Sequence, residues 1–421
     1  MASSLPPASR GLEETDRSKS VPSTCDICGS GDLVPGLDLG HQPVGDLLLT
    51  EASLGEPEIH YPMQLFLCSD CGLCQLGYTV DPAEVYKDFP FVSGTTQTAT
   101  RHLQALAREL VDRLGLGPGS FAVDIGSNDG TLLKGYAEAG VTVLGVDPAP
   151  LPVRAAIEAG VPTWHAFFDA DTAARARAEH GPADAISAAG CFAHIADLDG
   201  VLEGVRTLLR PGGIFCSDNQ YWLDILQREH YDNVFHQHLR NYSLKPMQRM
   251  FAGYGMEVFD VDRSEVYGGS IRVFAGFEGD HEISPRVTET LALEEEAGLY
   301  DPAVFARYAD TIAARRRRLF AEVYDHVRGG RKVIGIGAPA KASTVCNYCR
   351  LDASLVAYIT EVNPLRIGKY LPGVRIPIVE EARMFDDPEP ADAGILFAWN
   401  YRDEVVPKLR ERGWDGELIE P

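Results

Sequence analysis

Two Cys-x-x-Cys pairs, Cys25 with Cys28 and Cys68 with Cys71, constrain this chain more than any other feature of its sequence. The first pair finds no metal partner nearby until "LCSDCGLCQLGY" presents the second at 67–78. Four thiolates on two knuckles are the usual frame of a tetrahedral zinc ion. Gly29 and Gly72 follow the pairs and suit the tight turns that aim backbone N–H groups at sulfur. The competing explanation is two redox or merely packed pairs. Nine cysteines without an export signal, however, indicate a reducing compartment, where such spacing reads as metal before disulfide. A centre closed by four thiolates has no open coordination position, so this zinc is expected to fold its module and do no chemistry. Cys74 reads as a packed thiol, and Cys346 with Cys349 lacks a second pair.

Composition narrows the partners. A formal net charge of -23 argues against nucleic acid, whose phosphates need clustered Lys and Arg. The one basic run, "ARRRRL" at 314–319, lies in a helix-like segment and reads as a solvated face. No apolar stretch approaches the roughly 18 residues of a membrane span. The opening "MASSLPPASRGLEETDRSKS" lacks the apolar core of a signal peptide, so 1–20 reads as a disordered lead-in to a cytoplasmic protein. A small-molecule substrate, no membrane, and a monomer or small homo-oligomer are the expectations.

Strands alternate with helices after the cysteine module, which predicts a doubly wound parallel sheet in an α/β fold. The expected organisation is a zinc-binding module over 21–80, a Rossmann-like α/β domain over 81–280, a helical connector over 281–329 and a smaller Rossmann-like α/β domain over 330–421.

"VDIGSNDGTLL" sets the chemistry class. Asp124 ends a strand, Gly126 lets the chain turn, and Gly130 is expected to admit a ligand against the backbone. The pattern D-x-G-x-x-x-G is not G-x-G-x-x-G, which weakens the rival reading of NAD. An acid at the strand end suits an ammonium better than a pyrophosphate. Asp147, in "GVDP", sits at the tip of the next strand, where a carboxylate can accept both ribose hydroxyls. An amino acid at one end, a ribose at the other and no phosphate cradle describe S-adenosylmethionine. Ser127, Asn128, Asp129 and Pro148 complete the expected cofactor contacts. Phe167, Phe168 and Asp169 follow the third strand, where Phe168 would cover an adenine; core packing of these aromatics is the alternative.

A base is sought in "YDNVFHQHLRNYSL" at 231–244, after the strand "GIFCSDN". His236 and His238, two apart, share a face on extended chain, and one of them suits general-base work near neutral pH. A polar loop with a histidine satisfying backbone carbonyls is the bland alternative. "EVYGGSIRVF" at 265–274 carries Tyr267, Gly268 and Gly269, a turn able to approach a ligand or a bulge in an edge strand. "GIGAPAKAS" leads a strand into a helix whose N–H groups can hold phosphate beside Lys341. Turn glycines that merely stabilise the fold explain it equally, and Asn363 and Lys369 in "NPLRIGKYLPG" are as ambiguous.

Taken in order, the cysteine module, "VDIGSNDGTLL", "FAHIADLD", "HQHLRNYSL", "VYGGSIRV", "IGAPAKAST" and "NPLRIGKYLPGVRIPI" resemble the sugar C-methyltransferases of deoxysugar biosynthesis, over about 22–415. The resemblance implies three parts: a zinc-binding domain, a methyltransferase domain and a C-terminal Rossmann-like domain. It implies a nucleotide-linked keto sugar between them, deprotonated next to its ketone and methylated from S-adenosylmethionine. The family's Tyr-His-Glu-His maps onto Phe235, His236, Gln237 and His238, with His238 the implied base and His236 or His194 the next candidates. Phe91, Ser93, Tyr242, Tyr267, Gly268, Gly269, Lys341 and Lys369 are the expected substrate contacts. Phe235 and Gln237 depart from the family pattern, as do Phe89 and Phe91 where a tyrosine is common. These departures leave open methyl transfer to an amine, a hydroxyl or a non-sugar carbon. A non-catalytic binding protein is the remaining reading, opposed by the intact cofactor loop.

Overall fold

The computed structural model describes residues 24–86 and 92–421. Phe89 and Phe91, and the lead-in expected over 1–20, lie outside the described residues. Three sheets organise the rest.

The first sheet is antiparallel and joins Leu33–Gln42, Tyr61–Cys68, Cys74–Leu76 and Arg240–Asn241. Its hairpin turn carries Cys68 and Cys71, closed by Gly72 N–H donating to the Cys68 carbonyl at 2.9 Å. The matching turn, Gly29 N–H to the Cys25 carbonyl, has the same length, 2.9 Å. Arg240–Asn241 comes from far along the chain and pairs with Cys74 and Gln75. Cys74 itself is fully buried, as a packed thiol.

The second sheet has seven strands, ordered Met256–Ser264, Ser270–Phe277, Leu209–Gln220, Ala183–Ala189, Phe121–Ile125, Thr142–Asp147 and Thr163–His165. The last five run parallel, whereas Ser270–Phe277 is antiparallel to both its neighbours. The sheet is therefore mixed where the sequence pattern predicts a parallel one. The reason is the short link Val266–Gly268: a few residues make a hairpin, whereas a parallel return needs a crossover of a dozen or more. Helix Leu198–Leu208 shows how the layers close. Leu198, Val201, Leu202, Val205 and Leu208 form one buried stripe, and the Asp197 carboxylate caps the helix by accepting from Gly200 N–H. Each such side chain contributes about 1.5–3 kcal/mol of burial.

The third sheet is parallel throughout, in the order Ile378–Glu380, Ile359–Glu361, Val333–Ile336, Ala393–Leu396 and Glu417–Ile419. Helices Pro285–Glu296 and Pro302–Arg328 lead into it and do more than connect. A Cβ at Gly36, in the first sheet, would lie 2.1 Å from the Phe305 ring of the longer helix, so only glycine lets them meet. On the shorter helix, buried Glu294 accepts from Leu244 N–H at 2.7 Å and from the Tyr221 hydroxyl at 2.8 Å. The basic run is only partly a solvated face. Arg317 and Arg318 are exposed, but Arg315 pairs with Glu229 at 3.3 Å and Arg316 lies over the Tyr348 ring at 4.7 Å. No helix among the described residues is long and apolar enough to cross a membrane.

Candidate active site

A cavity of about 650 Å3 lies at the carboxyl ends of the strands of both α/β sheets. Gly126 and Asn128 reach it after Phe121–Ile125, and Gly190 and Cys191 after Ala183–Ala189. Lys341 follows Val333–Ile336 and Tyr401 follows Ala393–Leu396. In each sheet these two strands are adjacent and the strand order reverses between them, the crevice where open α/β sheets take ligands.

Away from this cavity, the sulfurs of Cys25, Cys28, Cys68 and Cys71 all lie within 4.8 Å of one another. Cys25 Sγ stands 3.5 Å from Cys71 Sγ, and Cys28 Sγ 3.6 Å from Cys68 Sγ. Thiolates about 2.3 Å from one zinc ion stand ~3.8 Å apart, so the donor set fits zinc. Cys346 and Cys349 join no such group among the described residues.

The cofactor half of the cavity rests on the central sheet. The Asp147 carboxylate is on the wall and accepts two backbone N–H groups, from Asn128 at 2.9 Å and Ala149 at 2.7 Å. A carboxylate has about four acceptor sites, so two remain for ribose hydroxyls. Gly126 turns there with φ +65°, and a Cβ on it would lie 2.7 Å from Cys191. Asn128, Pro148, Phe167, Phe168 and Asp169 also line this half, which fits a nucleoside bound between a ribose-accepting acid and an aromatic cover.

Four expected cofactor contacts stand off the wall. Asp124 is buried beneath it, where its carboxylate takes the Ser187 hydroxyl at 2.7 Å across the neighbouring strand; burial pushes its pKa up to about 7. Ser127 packs its side chain against Gly145 of the next strand. Asp129 turns back to cap its own helix, accepting from Thr131, and holds Gly94 N–H at 3.0 Å. Gly130 serves packing and not ligand approach, because a Cβ there would meet Val161 at 2.8 Å and φ is +74°.

The other half gathers groups from all three sheets. His238 Nδ1 lies 2.6 Å from the Asn233 carbonyl, which can only accept, so Nδ1 carries the proton and the neutral ring has a bare Nε2. Burial holds His238 well below the usual histidine range and brings His194, 5.0 Å away between ring centroids, to about 4. The Phe235 ring covers His238 at 3.9 Å. The Gln237 amide donates to Asp46 at 3.1 Å. Lys341 lies on the wall, its Nζ 3.9 Å over the Trp399 ring and 3.8 Å from Asp232, with burial lowering its pKa to about 8. Ser93 and Tyr267 also line the cavity, Ser93 N–H donating to Asn128 at 2.8 Å.

Several expected contacts fail here. His236 turns away, with Nε2 3.4 Å from the Tyr61 carbonyl. The turn closed by His238 N–H on the Phe235 carbonyl, at 2.8 Å, breaks the extended alternation that would have put both histidines on one face. Tyr242 is fully buried and stacked on Phe192 at 5.4 Å. A Cβ at Gly268 would strike Trp399 at 2.4 Å and one at Gly269 would strike Asp224 at 2.4 Å, so both glycines serve packing. Lys369 is off the wall; Arg366, three residues earlier, reaches it.

Other wall residues carry no local signal in the sequence. Asp46 and Arg366 are two. A second pair is His102 and Asp218, 3.1 Å apart. Burial alone would raise the Asp218 pKa, but the His102 hydrogen bond and Arg272 outweigh it and hold the carboxyl below the usual range. Tyr86 brings a phenol to the wall from the segment whose phenylalanines departed from the family pattern.

Comparison with known proteins gives this geometry a family. Residues 25–86 match the family model "Putative zinc binding domain", 99–261 "Methyltransferase domain" and 265–421 "C-methyltransferase C-terminal domain". The C-methyltransferase NovU of Streptomyces niveus is 33% identical over 393 residues, 92% of each chain. The chain belongs to this C-methyltransferase family. A ubiquinone biosynthesis O-methyltransferase of Cupriavidus pinatubonensis is 32% identical over 104 residues, 24% of this chain and 41% of its own. Magnesium protoporphyrin IX methyltransferase of Synechocystis, solved with bound SAH, aligns at a TM-score of 0.35 and 14% identity, over 43% of this chain and 84% of that one. Membership makes the protein an S-adenosylmethionine-dependent C-methyltransferase with a structural zinc in its N-terminal module.

Proposed function

We propose that the methyl acceptor is a nucleotide-activated keto-deoxysugar, methylated at a carbon next to its ketone, and that His238 is the base. The observation that carries this reading is the bare Nε2 of His238 on the cavity wall, fixed by the 2.6 Å bond from Nδ1 to Asn233. A carbon acid next to a ketone needs a base that is neutral before it acts, and burial keeps His238 neutral at physiological pH. The proton passes from carbon to Nε2, and the electron pair stays on the acceptor as an enolate that is nucleophilic at carbon. Bound S-adenosylmethionine supplies an electrophilic methyl group. Gly126, Asn128, Asp147, Pro148 and Phe168 are the residues we assign to holding it, and Cys25, Cys28, Cys68 and Cys71 those we assign to zinc.

Phe235 covers the imidazole and keeps water from its face. Lys341 and Arg366, buried cations on the same wall, together with the N-terminus of helix Ala340–Cys349, suit the diphosphate of an activated sugar. Incubation with nucleotide-linked 4-keto-6-deoxysugars in heavy water, with and without S-adenosylmethionine, tests the reading. Deuterium uptake without cofactor and the added mass of one methylene with it are the expected results. Cofactor consumption with neither change on any keto sugar would turn the assignment to amine, hydroxyl or non-sugar acceptors.

A further inference from the structure

Asp46 belongs to the zinc-binding module, yet it lies on the wall of the cavity and is only 7% exposed. Its two carboxylate oxygens are divided between the other two parts of the molecule. Oδ1 accepts from Arg366 Nη2 at 2.7 Å, and Oδ2 accepts from the Gln237 amide at 3.1 Å. Arg366 is fixed a second time, its Nη1 donating to the Ala338 carbonyl at 2.8 Å. The segment bearing Asp46 is pressed against the same region. A Cβ at Gly45 would lie 2.7 Å from the Ala340 carbonyl, and Leu49 exchanges two 2.9 Å backbone hydrogen bonds with Tyr370.

We propose that Asp46 is a positioning residue for the acceptor: it sets the Arg366 guanidinium on the cavity wall as the anion-binding cation and fixes Gln237, next to His238. This role rests on the diphosphate-bearing acceptor proposed above. A buried guanidinium with no carboxylate would carry an uncompensated charge and would leave its place. An amide at 237 also follows from the arrangement, since a second carboxylate 3.1 Å from Asp46 would repel it. Among the described residues, Asp46 bonds to Arg366 and Gln237, whereas Asp147 is held by the Asn128 and Ala149 N–H groups of the central-sheet loops. Asp46 therefore acts on one ligand and not on the other.

The test is a cycle of Asp46→Asn, Arg366→Lys and the double variant, with calorimetric affinities for S-adenosylhomocysteine and for a panel of nucleoside diphosphates. Asp46→Asn is expected to weaken nucleoside diphosphate binding at least about tenfold while cofactor-product affinity stays within about twofold. The double variant is expected to be no weaker than Arg366→Lys, because the first residue works through the second. Additive losses, unchanged diphosphate affinity in Asp46→Asn, or equal losses for both ligands would each overturn the proposal. Should the asparagine variant not fold, Asp46→Glu replaces it. That variant keeps the charge and displaces the guanidinium, with the same selective loss expected. If the unaltered protein binds no nucleoside diphosphate, the acceptor assignment fails and takes the proposal with it; if only the variant series behaves wrongly, the role of Asp46 alone is lost.

Discussion

The cofactor half of the cavity is built from loops at the ends of neighbouring strands in one sheet, whereas the acceptor half takes side chains from three. In the first, backbone N–H groups hold Asp147, and a change of side chain elsewhere leaves them in place. In the second, charges hold one another: buried Arg366 by buried Asp46, buried Arg240 by the more exposed Asp26 at 2.9 Å, Lys341 beside Asp232. Asp26 neighbours Cys25, so part of the acceptor wall hangs on the metal-binding turn. The lesson is that one cavity can have a half that tolerates disturbance and a half that does not.

The largest expected effect lies on the acceptor side. His238→Ala should lower turnover by about 10²–10⁴-fold with S-adenosylhomocysteine affinity unchanged, measured by kinetics and calorimetry on one preparation. Normal turnover would move the base to His194. Next, Cys25→Ser or Cys71→Ser should lose zinc, read by metal analysis. Such variants should also melt earlier and lose acceptor turnover before cofactor binding; a metal-free, fully active variant would dissolve the distinction between the halves. From the opposite side, Asp147→Ala should weaken the cofactor by about 1.5–3 kcal/mol, the worth of hydrogen bonds to a charged group, while acceptor KM stays put. Gly130→Ala should cost about 1–3 kcal/mol of stability through its φ of +74° and the Val161 contact, seen as a lower melting temperature.

A separate effect is one of pH. His194, His230 and His236 sit near pKa 4, against 6.5 unperturbed, because burial disfavours their charged forms. Below pH 6.5 the unfolded chain binds protons that the native one refuses. Stability should therefore fall as pH drops from about 6.5 toward 4, and be flat in these groups above that window. A melting temperature independent of pH across it would mean that the histidines are solvated.

The legible residues were those whose role is local in the chain. Two knuckles announce themselves by spacing, and Asp147 by standing at a strand tip with its turn following. Asp124 looked equivalent and is not, because only the sheet reveals that its carboxylate faces Ser187 on a strand that comes later in the chain. The spacing of the two histidines fits an extended chain, whereas a four-residue turn, Phe235 to His238, rotates one away. Asp46 and Arg366, separated by 320 positions, carry no pattern in sequence at all. Their meaning arises only when two units dock.

Arg240–Asn241 completes the first sheet from within the central part of the chain, two residues beyond His238. The cysteine module is thus not a cassette. A chimera that exchanges 24–86 for the matching stretch of a relative inherits a sheet cut for a different edge strand, laid against the backbone that carries the proposed base. Exchanges that also carry 231–244 keep edge and sheet together, and recombination among such enzymes should succeed along that seam.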